Sequence, residues 1–166
     1  RSGRHSRTFF QCALVLQDPA ATAELCGALA GKIKAEKWVF QSVISPAMGG
    51  ILVGHEVARH LGRRHIFAEK EGGKLTIRRF EVKPGEKYLV AEDVITTGSA
   101  VREVISLVRE AGGVVAGVAC LVDRSTQKPE LGAPLCSLFG MPVETFPATE
   151  IPADLINIPA VKPGSR

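Results

Sequence analysis

The chain has no long hydrophobic run, no paired-cysteine motif and no dense basic block, and each absence removes a class of protein. No apolar stretch approaches the ~20 residues that cross a bilayer, so no membrane span is expected, and no signal peptide is recognisable. The four cysteines, Cys12, Cys26, Cys120 and Cys136, form no CxxC pair. They read as buried free thiols of a protein kept in a reducing cytoplasm, with Cys12 and Cys120 inside apolar, strand-like runs. The 21 Lys and Arg against 17 Asp and Glu give a formal charge of +4. That mild excess suits an anionic partner, but without a Lys/Arg block nucleic acid is not indicated. Neither a GxxxxGK[ST] nor a GxGxxG phosphate loop occurs. There is no internal repeat and no low-complexity segment.

What is present is ordinary globular composition, 45% hydrophobic and 23% charged over 166 residues, enough for a single domain over residues 1–166. The absence of Met at position 1 leaves open a further helix before Arg1. Thr8 to Leu14 reads as a strand. Asp18-Pro19 then pairs a good N-cap with a residue suited to the first helical position, which predicts a helix from Pro19 to Ala35. A strand over Val39–Ile44 follows, stopping at Ser45-Pro46. A helix after Gly49-Gly50 runs to Leu61 and closes on Gly62. Further strands are expected at His65–Glu69, Lys87–Ala91 and Val114–Val122, with a helix over Ser99–Ala111 and a turn at Pro84-Gly85. Continuous apolar strands joined by amphipathic helices predict a doubly wound α/β fold, its mainly parallel sheet covered by helices on both faces. Beyond Arg124 the chain is Pro-rich, and 151–166 reads as an irregular tail.

In such sheets ligands bind beyond the carboxyl ends of the strands. Three strand ends carry unusual chemistry: Pro46-Ala47-Met48-Gly49-Gly50, Glu92-Asp93 with its sequel, and Asp123-Arg124. The middle one is the most informative. Thr96-Thr97-Gly98-Ser99 lies between a strand and a helix, where backbone N–H groups and the positive helix end converge on one point and suit a phosphate. The hydroxyls add donors, and Gly98 clears the approach. Two adjacent carboxylates would repel that phosphate, so they must face something else, and ribose hydroxyls are good partners. The segment describes a ribose 5-phosphate cradle. A tight turn with an acidic N-cap needs fewer polar groups than this.

Val90-Ala91-Glu92-Asp93-Val94-Ile95-Thr96-Thr97-Gly98 resembles the 5-phosphoribosyl 1-diphosphate (PRPP) signature of type I phosphoribosyltransferases. The wider match resembles the orotate phosphoribosyltransferases: Arg1-Ser2-Gly3-Arg4-His5-Ser6 with Phe9-Phe10, the Pro46–Gly50 loop, Leu121-Val122-Asp123-Arg124, and the Ala160–Arg166 tail. The resemblance implies transfer of phosphoribose from PRPP to orotate in pyrimidine synthesis, and a small hood built from the N- and C-terminal segments. It implies ribose contacts from Glu92 and Asp93, and PRPP contacts from Val94, Ile95, Thr96, Thr97, Gly98, Ser99 and Ala100. It puts orotate against Arg1, Phe9, Phe10, Thr96 and Arg124. It also implies Mg²⁺ carried by PRPP oxygens and water without certain protein ligands, and a homodimer.

In that family a basic loop closes over diphosphate from the neighbouring subunit. Here the matching stretch, Ala68 to Lys74, is short and lacks His; Lys70 is the best match, with Lys74, Arg78 and Arg79 as further cations. Gly49 stands where many members have Lys. These departures resemble a shorter-loop bacterial branch. The alternatives are a transferase for another base, against which Arg124 argues, and a PRPP-sensing regulator that lost catalysis, which the short loop favours. His55-Glu56-Val57-Ala58-Arg59-His60 is no zinc motif, because five-residue spacing turns the two His ~140° apart on a helix; they read as ordinary histidines of a surface helix. Trp38 reads as a packing residue.

Overall fold

The computed structural model describes residues 5–161. In chain order it contains β1 (His5–Ser6), α1 (Ala13–Leu16), α2 (Pro19–Ala35), β2 (Ser42–Pro46), α3 (Gly49–Leu61), β3 (Arg64–Glu71) and β4 (Lys74–Thr76). There follow β5 (Lys87–Ile95), α4 (Ser99–Glu110), β6 (Val114–Asp123), β7 (Leu135–Gly140) and β8 (Thr145–Phe146). Six strands form one sheet in the order β4-β3-β2-β5-β6-β7, and only β4 runs antiparallel to its neighbour. Numbered along the chain, the five parallel strands lie 2-1-3-4-5, so the strand order reverses between β2 and β5. That reversal is where a doubly wound sheet opens a ligand crevice.

Side-chain alternation splits the core in two. Val43, Leu89, Ala91, Ala119 and Leu121 face α2 and α3, packing on Cys26, Leu29, Ile33, Val53 and Val57. Ile44, Ile66, Ala68, Tyr88, Val90, Val118 and Cys120 face α4, against Val101, Val104, Ile105 and Val108. Trp38 packs against the first cluster, as expected. The Asp18 carboxylate accepts from the Ala20 and Ala21 N–H groups and starts α2 where the sequence placed it; Gly62 ends α3 with φ 62°.

Three expectations fail, each for a reason of environment. Thr8–Leu14 is not a strand. It crosses the carboxyl ends of the sheet, where no edge is free, and closes its backbone locally: Val15 and Leu16 N–H donate to the Cys12 carbonyl. Cys12 is therefore half-buried beside α1, while Cys26, Cys120 and Cys136 are buried thiols, all four unpaired. Second, β5 runs through the two acids to Ile95 instead of ending before them. Third, the Pro-rich stretch after Arg124 contains β7, parallel to β6. The terminal segments meet as expected: β1 pairs with β8, and Arg7 forms an ion pair with Asp154. Residues 151–161 contain no helix or strand. His60 lies between helices, its Nε2 against the Ala23 carbonyl at 2.9 Å, so it is not a simple surface residue.

Candidate functional site

Two adjoining cavities open where β2 and β5 diverge. The larger, about 370 Å³, is lined by Phe9, Phe10, Cys12, Ala47, Met48, Gly49, Lys70, Glu92 and Asp93, among others. The smaller, about 70 Å³, is lined by Glu92, Val94, Ile95, Thr96, Gly98, Ser99, Ala100 and Val101. Glu92, Val94 and Ala100 border both. The geometry is that of one elongated ligand, its small anionic end in the second cavity and its bulk in the first.

The smaller cavity sits on the N-terminus of α4. Gly98 caps that helix with φ 74°, a left-handed conformation natural to Gly, and no side chain caps the first turn. The helix end therefore keeps its donors for an anion. Thr97 lines neither cavity; its carbonyl accepts from Arg102 Nη1 at 2.8 Å, which ties the loop to the helix.

Glu92 and Asp93 differ sharply in surroundings. Glu92 is 7% exposed, and burial together with the neighbouring Asp93 carboxylate pushes its pKa well above the usual 4.5. Asp93 is half-buried and accepts from the Val94 N–H at 2.8 Å. The N-terminus of α3 presses on both: a Cβ on Gly49 would lie 2.7 Å from Asp93 Oδ2, and one on Gly50 3.0 Å from Glu92 Oε1. Gly49 is thus the residue that lets this helix close on Asp93. The Ala47–Met48 peptide between β2 and α3 is cis.

A prediction follows from the Glu92 carboxyl. Its folded pKa lies above its unfolded value, so above the ordinary carboxylate range the folded state holds a proton that the unfolded state releases. Stability then falls as pH rises from about 4.5. Glu92→Gln removes that penalty and should raise the melting temperature at pH 8 by about 2–4 °C. The gain should shrink toward pH 4.5, and activity should fall. Thermal unfolding at both pH values checks this; a variant less stable than wild type at pH 8 refutes it.

At the end of β6, Arg124 is 9% exposed, and among the described residues no carboxylate pairs with it. Its Nη2 donates to the Thr8 carbonyl at 2.7 Å, its guanidinium lies 5.3 Å from the Phe10 ring centroid, and its Nε has no hydrogen-bond partner. Burial lowers its pKa from 12.5. A buried cation with an unused donor is costly unless something anionic completes it.

The structure thus brings together Phe9, Phe10, Lys70, Glu92, Asp93 and the Val94–Ala100 loop, with Arg124 behind Phe10. Lys74 borders neither cavity, and Arg78 and Arg79 pair with Glu71 and Glu69 at 3.0 and 2.7 Å. Arg1 lies outside the described residues, as does the tail from 162 onward. Met48 lines the larger cavity within the Pro46–Gly50 loop that the sequence singles out, whereas Cys12 and Leu75 also line it and no motif marks them.

Fold and site together define a doubly wound α/β protein whose cavities open at the switch point of its sheet. Residues 15–148 match the phosphoribosyl transferase domain. The orotate phosphoribosyltransferase of Desulforamulus reducens is 53% identical over 99% of this chain and 86% of its own length. This chain belongs to the phosphoribosyltransferase family. In backbone it is similar to the adenine phosphoribosyltransferase of Thermoanaerobacter pseudethanolicus, with TM-score 0.69, 22% identity and coverage of 80% and 88% of the two chains. It is nearly as similar to the orotate phosphoribosyltransferase of Aeropyrum pernix, with TM-score 0.67, 21% identity and coverage of 80% and 78%. The backbone alone does not separate one base from another.

Proposed function

We propose that this chain transfers the phosphoribosyl group of PRPP to orotate, forming orotidine 5′-monophosphate and diphosphate for pyrimidine synthesis. The observation that carries the choice of base is Arg124. A purine or uracil carries no carboxylate to pair with its buried, partly unused guanidinium, whereas the orotate carboxylate matches it in charge and planar geometry. The relatives named above for orotate agree with this reading. The base then lies between Phe9, Phe10 and Thr96, with Arg1 on its flank.

In the transfer, N1 of orotate bonds to the anomeric carbon as the bond to diphosphate breaks, the N1 proton passing to the departing diphosphate or to solvent, with positive charge building on the ribose. The chain's part is to orient and to stabilise charge, and no dedicated base is required. The α4 N-terminus with Thr96 and Ser99 holds the 5′-phosphate, while Thr97 ties the loop to Arg102. Asp93 accepts from a ribose hydroxyl and faces the developing cation. Glu92, whose pKa burial and the Asp93 carboxylate raise, binds the same diol. Lys70 faces the diphosphate, and Lys74 adds a more distant charge.

Mg²⁺ fits this site as a partner of PRPP and not of the protein alone. Among the described residues no three His, Cys, Asp or Glu side chains gather into a metal group, so the cation would depend on PRPP oxygens and water, with Glu92 and Asp93 nearby. When bound it neutralises leaving-group charge. The unpaired thiols suit a cytoplasmic setting, and no described helix is long and apolar enough to cross a membrane. A homodimer is the assembly the family resemblance suggests.

The test is the loss of orotate absorbance with PRPP and Mg²⁺, with adenine, guanine, xanthine and uracil as controls. Turnover confined to orotate is expected. Tight PRPP binding without turnover would replace the enzyme by a PRPP-sensing regulator.

A further inference from the structure

We infer that Arg7 and Asp154 form a tether that sets the Arg124 guanidinium for the base, which makes Arg7 a positioning residue; this rests on the orotate reading above. Arg124 stands at the end of β6, yet its guanidinium is placed by a different part of the chain. Its Nη2 donates to the Thr8 carbonyl at 2.7 Å, and the Phe10 ring lies 5.3 Å away. The same carbonyl accepts the Ser6 hydroxyl at 2.8 Å. A carbonyl oxygen has two lone pairs, so both are engaged and the Thr8 peptide is held from two sides. Where residues 6–10 lie therefore decides where Nη2 points, and with it what the unpartnered Nε can reach.

Regular structure gives that segment little support. β1 and β8 share two residue pairs, His5 with Phe146 and Ser6 with Thr145, and an isolated two-stranded ribbon is marginal in water. Residues 8–11 are in neither helix nor strand. Arg7 lies between Ser6 and Thr8, and its guanidinium grips Asp154 as a fork: Nη2 donates to Oδ1 at 3.0 Å and Nη1 to Oδ2. Two parallel bonds fix direction as well as distance. The guanidinium also lies 5.8 Å from the Phe146 ring centroid, so β8 and the 151–161 stretch meet on this one side chain.

The backbone of Arg124 is tied to the same place. Its carbonyl accepts the Val143 N–H at 3.1 Å, and the Asp123 carbonyl accepts the Met141 N–H at 2.8 Å, on the stretch that leads into β8. The contacts close a circuit from Arg124 through β8 and β1 to Thr8 and back to the guanidinium. Arg7 and Asp154 border neither cavity, so their influence passes through Thr8. Glu92, Asp93 and the Thr96–Ala100 loop come from β5 and α4 and stand outside this circuit. Loosening the tether should therefore be felt at the base and not at the phosphate.

Steady-state kinetics of three variants test the tether. Arg7→Ala and Asp154→Ala should each raise the orotate KM by about three- to fivefold, the scale of an exposed ion pair of good geometry. PRPP KM and kcat should stay within about 1.5-fold, and the melting temperature within about 2 °C. The double variant should be no worse than either single, because one interaction is lost only once. Raising NaCl to about 1 M should narrow the gap between wild type and Arg7→Ala, since salt screens an exposed pair. An unchanged orotate KM in both single variants would overturn the tether, as would a PRPP KM that rises in step. A double variant whose loss is the product of the two, or a gap that salt leaves unchanged, would do the same. A wild-type chain that leaves orotate unconsumed defeats the orotate assignment alone. The tether is then read in ligand-free protein as faster amide exchange over residues 5–12 in both single variants, and equal exchange in wild type and variants sinks it.

Discussion

Asp93→Asn should lower kcat by roughly 10²-fold or more while the melting temperature stays within about 2 °C of wild type. The substitution keeps shape and keeps an oxygen in place for the Val94 N–H, the bond that Asp93 makes at 2.8 Å. What it removes is negative charge. Asp93 borders the larger cavity, where the anomeric carbon becomes cationic as diphosphate leaves, and charge is worth most there because it matters more in the transition state than in the bound substrate. Losing it also removes a neighbouring charge that helps burial to raise the Glu92 pKa, so any change in stability should be toward greater stability. Steady-state kinetics at saturating PRPP, with thermal unfolding of the same preparation, separate the two effects. An unchanged kcat would remove Asp93 from the ribose site.

Arg124→Ala should reduce kcat/KM for orotate by about 10²-fold or more, the range of a truncated buried charge pair, with PRPP KM within about threefold. Arg124 stacks behind Phe10 at 5.3 Å and borders neither cavity itself, so its loss leaves the phosphate cradle untouched. Arg124→Lys should recover only part of the loss, because an ammonium cannot present two parallel donors to a carboxylate. Little stability should be lost in either variant. The Thr8 carbonyl loses one donor, but a buried cation with an unpartnered Nε disappears as well. Orotate KM unchanged in Arg124→Ala would return the chain to the transferases for other bases. The two substitutions also complement each other: Asp93→Asn acts on turnover with either ligand bound, Arg124→Ala on orotate alone.

Much of this was legible along the chain because the signals were local. Asp18-Pro19 starts α2 through bonds to its own next residues. Gly62 stops α3 by a conformation that Gly adopts at little cost. The stretch from Glu92 to Ala100 carries its chemistry within nine residues. Segments whose structure depends on a distant partner were not legible. Thr8–Leu14 has the composition of a strand, yet no edge awaits it. Leu135–Gly140 forms β7 only because β6 offers an open side after the Pro-rich loop. Lys70 could be read as a basic residue, but its place on the wall of the larger cavity beside Glu92 and Asp93 depends on the Ala68–Pro46 register.

The sequence by itself determined the fold class, the phosphate loop and the acid pair, since hydrophobic period, caps and a contiguous motif are written residue by residue. The tertiary structure alone decided how two adjacent acids come to differ, why Gly49 must be small against Asp93, and that the Arg124 guanidinium is buried with a donor to spare. Those are matters of desolvation and close approach between elements far apart in the chain, such as Gly49 and Asp93 or Arg124 and Thr8. Protonation and unmet hydrogen bonds depend on what surrounds a group in space, and no local pattern of residues encodes that.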